Sequence, residues 1–240
     1  MTMTNREKVL KEFNNVPSGQ LIKASNLYRE KFSTVMSETA FTGTISRLYQ
    51  NGEIYRISKG IYCKPRKTRF GSVKPSDKEI VNNLISDNNG VIVGYELYNS
   101  LGITTQIAKS LTVYSSIIDE KLKQIGNITV HKYNLDYNSS VKATIRIMEV
   151  LKNYNKIEDI NYSALIHTMK SYSKKYDEKA VETVIEVIGY PKRTVAFMHE
   201  MLNHYNVTNK LDNHLSALSD YRIPEMKDIY EAAEKQPKSE

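Results

Sequence analysis

SETAFTGTISRLYQNGEIYRISKGIYCKP, from Ser37 to Pro65, reads as one helix followed by a β-hairpin. At about 100° per residue, Ile45, Leu48 and Tyr49 share the side of Phe41, while Thr39, Gly43, Ser46, Arg47 and Gln50 fall opposite. One face is suited to a core; the other, to which Thr42 is added, is small, polar and basic. Asn51-Gly52 stops the helix, because glycine accepts the left-handed conformation that a C-terminal cap needs. Glu53–Ser58 and Gly60–Lys64 then become strands, joined at Lys59-Gly60 too tightly for anything but a hairpin turn. Pro65, which cannot donate to a ladder, ends the second strand.

Upstream, Asn5–Phe13 reads as a first helix with Val9, Leu10 and Phe13 as its apolar stripe and Thr4 or Asn5 as its cap. Val16-Pro17-Ser18-Gly19 is a turn. A second helix is expected over Gln20–Tyr28, carrying Leu21, Ile22 and Leu27, and Phe32–Met36 link it to the third. Three short helices and a hairpin in about 65 residues are the core and wing of a winged helix-turn-helix, whose third helix enters the major groove of DNA. Gly43 fits this reading. A glycine inside a helix costs about 1 kcal/mol relative to alanine, so its place on the polar face suggests close backbone approach by a partner, simple tolerance being the other reading.

Charge points the same way. Residues 1–70 hold 13 Lys and Arg against 5 Asp and Glu, residues 71–140 hold 6 against 7, and residues 141–240 hold 15 against 15. The excess of +7 therefore sits in the first third, as expected of a surface that displaces counterions from phosphates. Arg56, Lys59, Lys64, Arg66, Lys67 and Arg69 bunch on and after the hairpin, which argues against merely solvated lysine-rich helices.

The rest of the chain forms a second domain, 71–240, so the expected fold class is α+β, with a 1–70 winged helix followed by a mixed α/β and then helical region. Arg66–Lys74 has no clear period and contains a glycine, so it reads as a linker or a hinge over the DNA backbone. A capping box, Ser76 with Glu79, opens a helix over Asp77–Ser86. Strands are expected at Val91–Val93, Ser110–Ile118 and Ile128–Tyr133, with a short helix at Tyr95–Leu101, in an order the pattern does not fix. After Asp136 the pattern is helical: a helix preceded by Ser139 or Ser140 runs to Asn153, then Tyr162–Tyr176, Glu178–Ile188, Pro191–Tyr205 and Glu225–Glu234, with a frayed Lys235–Glu240 tail. No apolar run approaches the ~20 residues of a membrane span, and MTMTNREKVL lacks the apolar core of a secretory signal, so a cytoplasmic protein is expected.

Catalytic signals are thin. His199, Glu200 and His204 resemble a metalloprotease helix, but the histidines are five apart and cannot share a metal on one helix face. His131, His167 and His214 stand alone, and the single Cys63 excludes an internal disulfide and a multi-cysteine zinc site. No phosphate-binding glycine loop, nucleophile elbow or paired carboxylates are present. No catalytic residue, metal or cofactor is therefore expected.

Two stretches carry a family resemblance. Ile45-Ser46-Arg47-Leu48, Gly52, Ile54, Arg56-Ile57, Lys59-Gly60-Ile61-Tyr62 and Pro65 resemble the winged helix of AbiEi-type antitoxins of type IV abortive-infection systems. Pro75-Ser76 and the run from Gly94 to Gln106, closing in Asn99, Leu101-Gly102 and Thr105-Gln106, resemble the segment after that wing. Val93-Gly94 stands where members often have Ser-Gly or Thr-Gly, and the region after 140 matches only in character. The resemblance implies a bacterial phage-defence antitoxin that represses its own operon through double-stranded operator DNA. It also implies that the protein counters a nucleotidyltransferase-like toxin without a stable complex. A monomer in solution, with more than one copy on DNA and no membrane partner, is expected. The DNA-contacting set is Thr39, Thr42, Gly43, Ser46, Arg47, Gln50, Arg56, Lys59, Lys64, Arg66, Lys67 and Arg69. The alternatives are a winged-helix regulator with a C-terminal ligand-sensing or dimerisation domain, and an enzyme acting on a toxin or its RNA substrate.

Overall fold

A computed structural model describes residues 3–216 and 218–237, so part of the expected frayed tail, 238–240, lies outside the described residues. The fold is α+β. It divides into two compact units, Met1–Asn83 and Leu84–Glu240.

In the first unit, helix α1 (Asn5–Asn14) starts at a capping box in which Thr4 and Glu7 satisfy each other's backbone donors. Helix α3 (Glu38–Gln50) starts where the Ser37 hydroxyl accepts from the Ala40 N–H, and it ends at Asn51 with Gly52 at φ 69°. Between them the expected second helix is replaced. Leu21–Lys23 is strand β1, followed by a four-residue helix α2 (Ala24–Leu27) and a π-helical turn at Tyr28–Phe32. The strand β1 pairs antiparallel with β3 (Ile61–Cys63), which also pairs with β2 (Tyr55–Ser58), in the order β1-β3-β2. Three residues carry no period of their own; the ladder offered by β3 decides their conformation. Phe41 packs its ring 5.4 Å from both Tyr28 and Phe32, over a core of Val9, Phe13, Ile45, Leu48 and Ile54.

Arg66–Lys74, expected as a linker, is a second hairpin of β4 (Arg66–Thr68) and β5 (Gly71–Val73) with Arg69-Phe70 at its tip. It has no buried face and so leaves no hydrophobic period to read. Helix α4 (Asp77–Ile85) opens with the Ser76 and Glu79 capping box. The Ser76 backbone N–H, then its hydroxyl, hold the Glu79 carboxyl below the usual range. The first compact unit extends to Asn83, past the expected boundary after residue 70. The Asn83 amide accepts from the Leu21 N–H at 3.1 Å and donates to Gly19 O at 3.4 Å, so most of α4 caps the free edge of β1. The charge excess of this larger unit is still +8, from 15 basic and 7 acidic residues.

The second unit holds a four-stranded sheet in the order β6-β7-β9-β8. Strands β6 (Gly90–Val93) and β7 (Leu111–Ser115) are antiparallel, β7 and β9 (Ile128–Lys132) parallel, and β8 (Leu122–Ile125) closes the edge antiparallel to β9. Strand β8 was not expected, since LKQI with Lys121 before it reads as a solvated loop; edge strands tolerate such lysines. At Gly90 an added Cβ would lie 2.5 Å from Tyr114 O and 2.7 Å from Leu84 O, so only glycine lets the sheet start here.

Helix α5 (Tyr95–Ser100) follows β6, and among the described residues the longer helices of the unit are α6 (Ser139–Asn153), α7 (Tyr162–Ser173), α8 (Glu178–Ile188), α9 (Lys192–His204) and α10 (Met226–Lys235). Asn138, not Ser139 or Ser140, caps α6. Gly189 ends α8 in the left-handed conformation, and Pro191 stands at the N-cap of α9, one place before the expected first helical position. Among the described residues no helix is long and apolar enough to cross a membrane.

Candidate nucleic-acid interface

On α3, Phe41, Thr44, Ile45 and Leu48 are buried, while Thr39, Thr42, Ser46, Arg47 and Gln50 are exposed and Gly43 is half-buried. Tyr49, expected on the packed face, is 43% exposed: it lies at the edge of the stripe, where the core no longer reaches. At about 100° per residue the middle of the open face is Ser46, Thr39 and Gln50, with Gly43 beside them. An added Cβ at Gly43 would meet nothing within 4 Å, so no neighbour in the fold requires glycine there.

Arg47 sits at the flank of this face rather than its centre. Its Nε donates to Gly43 O at 3.2 Å, and with Ala40, Thr44 and Asn51 it lines a hollow of about 390 Å³ beside Thr4, the cap of α1, and Asn5 and Arg6 in its first turn. Just beyond α3, the Glu53 carboxylate accepts from Arg6 at 2.6 Å and from the Asn51 amide at 3.3 Å, which offsets the negative charge closest to the helix end.

The basic residues divide by position. Arg56 and Lys59 are exposed on the first hairpin, where a bulge between Arg56 and Ser58 leaves Lys59-Gly60 as the turn, with Gly60 at φ 77°. Lys67 and Arg69 are exposed on the second hairpin, and Arg66 lies 3.4 Å from Glu79. Lys64 stands apart: half-buried, it points its ammonium to Asn14 O, at the C-terminal end of α1, 3.5 Å away. That end of a helix attracts cations, so Lys64 is positioned by α1 instead of presented with the others. Burial, then the Glu79 charge, push the Cys63 thiol up to about 11, which suits a small strand residue and not a reactive one.

In the second unit the segment that carried the family resemblance is a scaffold. Asn99 donates to Thr104 O and Gln106 O at 3.4 and 3.5 Å, Thr104 Oγ1 donates to Glu158 O at 2.7 Å, and the Gln106 amide bonds Asp159. His199 is engaged by Asn209 at 2.8 Å and Asn203 at 3.0 Å, while the His204 ring lies 5.1 Å from Tyr205. Among the described residues no three His, Cys, Asp or Glu side chains group around a metal position. Sequence reading missed a cleft of about 390 Å³ floored by Tyr114, His131, Tyr133 and Glu149, because its residues come from separate strands and α6.

A family model described as a family of unknown function, DUF6088, matches residues 16–179. The crystal structure of the RV2827C protein from Mycobacterium tuberculosis is similar over 86% of this chain and 79% of that chain, at 7% sequence identity and a TM-score of 0.42. No curated protein matches the chain.

Proposed function

We propose, for a chain that belongs to DUF6088, a family of unknown function, that its first unit reads double-stranded operator DNA and that the protein is a transcriptional repressor. The observation that carries this reading is the open face of α3, with Thr39, Ser46 and Gln50 directed to solvent in a unit of net charge +8. Small polar side chains on an exposed third helix can reach base edges, while Arg56, Lys59, Lys67 and Arg69 supply phosphate contacts. The resemblance to AbiEi-type antitoxins extends the proposal. The repressed operon would be the protein's own, and the protein would counter a nucleotidyltransferase-like toxin encoded beside it, in the cytoplasm, without a stable complex and without chemistry of its own. On this reading it is a monomer that occupies its operator in more than one copy.

Fluorescence anisotropy of the full chain on the duplex upstream of its own reading frame tests the repressor half, with a scrambled duplex of equal length as reference. A preference of about 10³ or more is expected; equal affinities overturn the reading. Rescue of growth from the neighbouring toxin, expressed from an unrelated promoter, tests the antitoxin half. DNA binding without rescue leaves a plain regulator. That second reading has its own support in the cleft over Tyr114, His131 and Glu149, which could hold a small effector.

A further inference from the structure

The second hairpin is built unlike any other part of the described chain. Every residue from Arg66 to Lys74 is exposed, and Phe70, at its tip, is 86% exposed. A two-stranded hairpin without a core is marginal by itself, yet this one is held at both ends. At the tip, Thr68 Oγ1 donates to Gly71 O at 2.9 Å and accepts from the Phe70 N–H at 3.2 Å. At the base, the Tyr55 hydroxyl donates to Ser72 O at 3.0 Å and Arg66 meets Glu79. The ring is thus presented on a fixed support. The Arg69 guanidinium lies 4.8 Å from its centroid, and Lys67 and Lys74 are exposed on the same segment, with no carboxylate between residues 66 and 76.

An exposed apolar ring with an arginine against it, on a hairpin that carries only basic charge, fits a polyanion with apolar surface between its charges, and duplex DNA is such a body: phosphates outside, stacked bases within. The minor groove is about 6 Å wide, too narrow for a two-stranded ribbon but open to the two side chains of a hairpin tip. Arginine favours the negative potential of a narrow minor groove, and phenylalanine is among the side chains that wedge between base steps there. We propose that the Arg66–Val73 hairpin is a second wing, which inserts Phe70 into a base step from the minor groove while Arg69 lies along the groove floor, and so bends the operator. The inference rests on the DNA-reading role proposed above and adds to it a means of indirect readout: sites with an easily unstacked pyrimidine–purine step under Phe70 bind best. A lone ring offers a bilayer little apolar area, so a membrane is the weaker occupant.

The test uses the full chain and the duplex upstream of its own reading frame, carrying 2-aminopurine at successive steps or end-labelled for energy transfer. The unaltered protein is expected to raise 2-aminopurine emission at one step and to bend the duplex by about 20–90°. Phe70→Ala should abolish both and weaken binding about tenfold, while the α3 footprint and the salt slope stay unchanged, since no charge is lost. Phe70→Trp should retain both, and matching melting curves exclude misfolding. Bend and emission that survive Phe70→Ala overturn the wedge and leave the DNA-reading role intact, whereas no duplex binding by the unaltered chain overturns both. Loss of binding to phosphatidylserine vesicles on Phe70→Ala, with the bend unaffected, would assign the ring to membranes and also overturn the wedge.

Discussion

The Tyr114 hydroxyl donates to the Glu149 carboxylate at 2.8 Å, and both side chains are buried. Lys152 at 3.1 Å and the Asn153 amide at 3.2 Å also donate to this carboxylate, which is thus engaged inside the second unit. Burial, then the Glu149 charge, push the Tyr114 phenol well above its ordinary pKa, so it acts as a donor throughout the working range. Glu149→Ala strands the Tyr114 hydroxyl and is expected to cost about 2–3 kcal/mol, with Tyr114→Phe costing about 1–2. Urea unfolding measures both. A loss below about 1 kcal/mol for Glu149→Ala would mean that water in the cleft substitutes for the carboxylate.

His131, whose ring lies 5.6 Å from that of Tyr114, has its pKa lowered by burial and then by the Lys152 charge. The sign follows from linkage: the unfolded chain binds the proton more readily than the folded one. Stability is therefore full above about pH 6.5, the ordinary histidine value, and falls as pH drops from there toward the folded pKa. His131→Gln should lose less stability than the unaltered protein between pH 7.5 and pH 5.5. Parallel losses in denaturant titrations at those two pH values would show that other groups carry the acid sensitivity.

Position on α3 separates base reading from backbone contact. Gln50 lies near the middle of the open face and Arg47 at its flank, tied to Gly43 O. Gln50→Ala should relax preference at one base pair by about 1–3 kcal/mol, since glutamine can pair bidentately with adenine. Arg47→Ala should weaken operator and scrambled duplex by the same factor. Binding to a panel of single-base operator variants decides; a change in preference for Arg47→Ala alone reverses the assignment.

Gly43 offers a test in which stability and binding move in opposite directions. Alanine there meets nothing within 4 Å, so Gly43→Ala should stabilise the first unit by about 1 kcal/mol through helix propensity. If the bare backbone lies against DNA, operator affinity should fall at the same time. A more stable protein with unchanged affinity would leave simple tolerance as the reason for glycine.

Exposed cations on the first hairpin should act through phosphates. Replacing Arg56 and Lys59 together with glutamine should reduce the slope of log affinity against log salt by about 1.8, from about 0.9 per lost contact. Titrations from 50 to 200 mM salt read the slope directly, and an unchanged slope would place both side chains off the DNA.

What the sequence determined by itself is local. Thr4 with Glu7 and Ser76 with Glu79 fix helix starts through bonds spanning three residues, and Asn51-Gly52 ends α3 through one residue's backbone freedom. The apolar stripe of Phe41, Ile45 and Leu48 marks the packed face of α3 because helical period is written in adjacent turns. The tertiary structure decided whatever depends on a distant partner. Leu21–Lys23 becomes a strand only because Ile61–Cys63 offers it a ladder, and Leu122–Ile125 only because Ile128–Lys132 does. The Arg66–Val73 hairpin stands without a hydrophobic face, held by Tyr55 and Glu79, and α4 joins the first unit because Asn83 satisfies the open edge of β1. Three- and four-residue strands bury too little to carry a period, so their hydrogen-bonding partners, far away in the chain, determine what they are.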